Sequence, residues 1–107
     1  MAEKTSEPIL DLIGEMTAAS VEVSSLDPQT LMMVRIAALV AVDAPPVSYM
    51  LNLGAAGEAN VSEEQIRGVL AAVAPIVGTP RIVAAAGNVV RALGIAIDLA
   101  EMEEMEG

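Results

Sequence analysis

The chain has 107 residues, 54% of them hydrophobic, with one tyrosine as its only aromatic residue and a formal net charge of −10. It contains no cysteine and no histidine, which excludes disulfides, thiolate nucleophiles, thiolate zinc sites and imidazole bases. Its five basic residues, Lys4, Arg35, Arg67, Arg81 and Arg91, are scattered, whereas phosphate-backbone binding needs clustered Lys and Arg.

This length is enough for one domain, residues 1–107. The apolar mass is Ala, Val, Ile, Leu and Met. A monomer this short buries roughly two-thirds of its unfolded surface. Much apolar sequence would then stay outside, and large exposed apolar patches usually mark interfaces. Self-association is the expected resolution. A membrane span is not expected. The run Leu31 to Val42 is too short and contains Arg35, and the stretch Ile82 to Ala100 carries Asn88, Arg91 and Asp98. The N-terminal residues lack a basic region followed by an apolar core. The expectation is a cytoplasmic protein that binds neither nucleic acid nor membrane.

The first segment, Glu7 to about Ala19, places Ile9, Leu10, Leu12, Ile13 and Met16 at helical spacing, with Pro8 in the first turn. Val21 to Ser25 reads as a connector. Asp27-Pro28 is a cap followed by a first-turn proline, and Leu26 with Leu31 forms a hydrophobic staple. That predicts a second helix through Val42, apolar nearly all round and buried in the assembly. Asp43-Ala-Pro-Pro46 breaks the pattern. A third helix is predicted from near Pro46 to about Glu58, with Asn60 left-handed after it.

Ser62-x-x-Gln65 is a capping box flanked by a Val61–Ile66 staple, and Glu63 and Glu64 suit the positive helix end. Apolar residues follow at Ile66, Val69, Leu70, Val73 and Val77 on one face. Pro75 is expected to bend or shorten this fourth helix, and Gly78 to end it. Thr79-Pro80 repeats the cap-plus-proline device ahead of a last helix running towards Met102. Its Ala84-Ala85-Ala86-Gly87 run, with Gly94, predicts close packing against a neighbour. The acidic tail, residues 101–107, reads as a solvated, fraying helix end, because its glutamates face the negative end of the dipole. No strand pair, internal repeat or linker is evident, so the fold class is all-α.

Three pieces in order carry a family resemblance: Leu26-Asp27-Pro28-Gln29-Thr30, Val61-Ser62-Glu63-Glu64-Gln65-Ile66, and Gly78-Thr79-Pro80-Arg81 before an alanine-rich helix. Residues from about 26 to 93 resemble the carboxymuconolactone decarboxylase family, which includes the AhpD-like alkylhydroperoxidases. The resemblance implies an all-helical subunit with a packed helical hairpin, assembled as trimers or hexamers. The peroxidase branch carries Cys-x-x-Cys-x-x-x-His at the start of its third helix. The matching positions here are Pro45, Ser48 and Asn52. None supplies a thiolate or an imidazole, so the disulfide-relay activity does not transfer. The lactone decarboxylases do not need the cysteine pair, but this chain also lacks the histidine of that helix.

Few polar residues fall where a site would form. Arg35 lies within an apolar run; it reads as a structural ion pair, as a clamp for a small carboxylate, or as an arginine that reaches outward. Tyr49 reads as a packed ring or as a weak acid beside Ser48 and Asn52, which themselves read as capping groups or ligand contacts. Arg81 sits at the helix end unfavourable for a cation, which points to a carboxylate partner or ligand. Asn88, mid-helix, is expected to make an interhelical hydrogen bond, and Asp43 to be an exposed turn residue. No metal cluster, phosphate loop or triad is legible, and no cofactor is implied.

Two functions fit. One is acid–base decarboxylation of a small carboxylated lactone or cyclic acid. In it, Arg35 or Arg81 would hold the carboxylate, and Tyr49, or a carboxylate raised in pKa by burial, would move the proton. Ser48 and Asn52 would contact substrate. The other is a non-catalytic oligomeric binding or scaffold protein that kept the helical assembly. An apolar filling around Ser48 to Asn52 would favour the second, and a wet pocket with Arg and Tyr pointing inwards would count against it.

Overall fold

A computed structural model of the chain describes residues 7–106, and the side chains of residues 7–93, 101 and 102. The described residues form five helices: α1 Pro8–Val23, α2 Pro28–Val42, α3 Pro46–Glu58, α4 Glu63–Val77 and α5 Thr79–Glu106. No described residue is in a strand, and the all-α expectation holds.

The helix starts follow from local chemistry. Asp27 accepts from the Thr30 backbone N–H at 2.9 Å and from its hydroxyl at 3.0 Å. These hydrogen bonds hold the Asp27 carboxyl below its usual pKa. The predicted capping box is complete. Gln65 N–H donates to Ser62 Oγ at 3.1 Å, and Ser62 N–H donates to Gln65 Oε1 at 2.8 Å. Replacing Ser62 with alanine is therefore expected to cost about 1 kcal/mol, read as a lower urea midpoint at fixed protein concentration.

Two helix ends share one device. After α2, Asp43 is exposed and left-handed at φ 54°, and Ala44 N–H donates to Leu39 O at 3.0 Å. After α3, Asn60 is left-handed at φ 65°, as expected, and Val61 N–H donates to Ala56 O at 2.9 Å. Both satisfy carbonyls that the helix leaves open.

Two expectations need correction. The first helix does not stop near Ala19. It runs through Val21-Glu22-Val23 and ends where Ser24 is extended, so the connector is only 24–27. Pro75 does not shorten α4, which continues to Val77 before Gly78 ends it. Its missing N–H deprives only the Ala71 carbonyl, and Ala71 is exposed to water.

The core lies among α2, α3, α4 and α5. One cluster is Leu31, Met32, Ile36, Ala56 and Ile66. A second is Val40, Ala44, Tyr49, Ala85 and Ala92. The most extensive packing is between α3 and α5, where Ala85 and Ala92 are each 1% exposed. Of the alanine run expected to pack closely, Ala85 does so and Ala86 is exposed, while Ala92 adds a second close position. Gly87 does not, because a Cβ there would meet no atom within 4 Å. Gly94 lies outside the described side chains.

The first helix stands apart. No α1 residue is buried, and among the described residues α1 forms no extensive contact with another helix. Within the single chain α2 keeps Val34 and Val42 exposed. The radius of gyration, 15.1 Å, exceeds the roughly 13 Å of a compact domain of 100 residues. No helix among the described residues is long and apolar enough to cross a membrane. The tail is helical through Glu106, with Glu101 and Met102 exposed.

Candidate functional site

The head of α3 is the face where the sequence placed its candidate chemistry. Pro45 and Pro46 open the helix without a side-chain cap, and Ser48 N–H turns back to Pro45 O at 3.0 Å. One turn on, Asn52 Nδ2 donates to the Ser48 carbonyl at 2.9 Å. The Asn52 amide is thus engaged within its own helix. Ser48 and Asn52 are half-buried.

Tyr49 lies between them in sequence and points into the core. It is 0% exposed and packs with Val40, Ala44, Ala85 and Ala92. Its hydroxyl is buried without a hydrogen-bond partner. Burial, with the negative charge of Asp43 adding to it, pushes the phenol pKa above its ordinary value. The group is therefore a neutral phenol at physiological pH, able to donate a hydrogen bond and a weaker acid than a free phenol.

A polar link crosses the same layer. Asn88, 8% exposed, donates from Nδ2 to the Ala44 carbonyl at 3.2 Å, and Arg91 Nη1 donates to Asn88 Oδ1 at 3.4 Å. The expected hydrogen bond of Asn88 is present, directed to the turn before α3 rather than to a helix. Asn88→Leu leaves the Ala44 carbonyl buried and unpaired, an expected cost of about 1–3 kcal/mol. Asn88→Asp should cost more, having no donor to offer. Urea unfolding of both variants checks the order.

The arginines are elsewhere. Arg35 is half-buried on α2 and donates from Nη2 to Ser20 Oγ at 3.1 Å and to Thr17 O at 3.4 Å, so it ties α1 to α2. Arg81 is exposed in the first turn of α5. The described hydrogen bonds do not join Arg35 or Arg81 to Tyr49, Ser48 or Asn52.

The structure adds a feature that the sequence reading did not anticipate. A groove of about 400 Å³ opens between α3, α4 and α5, and none of the five expected site residues lines it. Leu53, Ala56, Ile66, Leu70 and Val90 make it largely apolar, and Glu63 and Arg67 are its charged residues. The i, i+4 spacing of Glu63 and Arg67 puts them on one face of α4. That spacing was legible, but the neighbouring helices were not. Among the described residues no group of acidic side chains is placed to hold a metal ion.

Residues 7–91 match the model of the carboxymuconolactone decarboxylase family. The chain belongs to the carboxymuconolactone decarboxylase family. The match takes in α1, which the resemblance over residues 26–93 had left out, and it stops before the acidic tail. No curated protein and no solved structure matches the chain. The positions that the sequence resemblance pairs with the peroxidase branch's thiols and imidazole, Pro45, Ser48 and Asn52, lie at the head of α3.

Proposed function

We propose that this member of the family is a non-catalytic, self-assembling binding or scaffold protein, a trimer or hexamer that uses the helical frame without the redox chemistry. The observation that carries this reading is the filling of the α3 face. Tyr49 is sealed among aliphatic side chains, Asn52 is bonded to its own helix, and Arg35 is turned to α1. No wet pocket with Arg and Tyr directed inwards is present among the described residues. The apolar side chains left exposed on α1, α2 and α5 support assembly.

A second reading draws on one observation. A buried hydroxyl without a partner costs stability that phenylalanine would not, and such groups are often kept for use. In this reading the chain decarboxylates a small carboxylated lactone or cyclic acid. Tyr49 donates the proton, Arg35 or Arg81 holds the carboxylate, and Ser48 and Asn52 contact the substrate.

Ultraviolet-monitored turnover of 4-carboxymuconolactone, with light scattering on the same sample, separates the two. The expected result is an oligomer with no loss of lactone above background. Turnover that Tyr49→Phe abolishes while the oligomer persists would establish the enzyme and overturn the scaffold reading.

A further inference from the structure

We draw no further inference here: the strongest candidate, the largely apolar groove between α3, α4 and α5, sets Glu63 beside Arg67 and so has no net charge to select an occupant, and nothing in the structure shows what covers it.

Discussion

Truncating Tyr49 to alanine is expected to lower the unfolding free energy by about 3–5 kcal/mol, and replacing it with phenylalanine to raise it by about 1 kcal/mol. The ring is the largest fully buried side chain, at 0% exposure among Val40, Ala44, Ala85 and Ala92. Removing it leaves a cavity that joins α2, α3 and α5. Domains are stable by about 5–15 kcal/mol, so alanine would take much of the total. Phenylalanine keeps the volume and removes a hydroxyl that is buried without a partner. Urea unfolding followed by circular dichroism, at one protein concentration because assembly contributes, gives both values.

The same residue predicts an alkaline limb. Its folded pKa lies above the ordinary 10.0 through burial and the nearby Asp43 charge. Below about pH 10 the phenol is protonated whether the chain is folded or not, and stability does not depend on it. Above that, the unfolded chain releases the proton first, so stability falls as pH rises through the folded value. Tyr49→Phe is expected to abolish this limb. With one tyrosine and no tryptophan in the chain, the ultraviolet phenolate signal reports this group alone.

Ile36→Ala is the second large effect, an expected loss of about 2–5 kcal/mol, against about 0.5–1.5 kcal/mol for Ile36→Val. Ile36 is 0% exposed and sits with Leu31, Met32, Ala56 and Ile66, where α2 meets α3 and α4. Loss of its outer atoms opens a void that rigid helices fill poorly. Urea midpoints for the two variants measure the difference. An alanine variant as stable as the valine one would mean that this cluster collapses around the gap.

The two cores bear differently on function. Ile36 is legible as core from an apolar run, and its loss affects folding alone. Tyr49 is both the largest fully buried residue among those described and the one phenol at the head of α3. Stability and turnover of Tyr49→Phe, measured together, therefore separate a packing role from a chemical one. A more stable variant within an intact, inactive oligomer fits the scaffold reading.

The sequence by itself determined the helix boundaries at Asp27, Ser62, Gly78 and Asn60, because each rests on bonds or turns within five residues. It also determined what chemistry is excluded, since absent cysteine and histidine cannot be restored by folding. Where local signals were weak it misread the chain. The β-branched Val21 and Val23 continue α1, because their lower helix propensity is a small term beside the rest of a helix, and Pro75 does not shorten α4, because only the exposed Ala71 carbonyl loses its donor. Only the tertiary structure decided the fate of the polar residues. The Asn88–Ala44 bond joins positions 44 residues apart, Arg35 reaches back to Ser20 instead of forward to Tyr49, and the groove takes its walls from three helices. Spacing along one helix tells which residues share a face. It does not tell what lies opposite that face, and that is settled by how five helices fill space together.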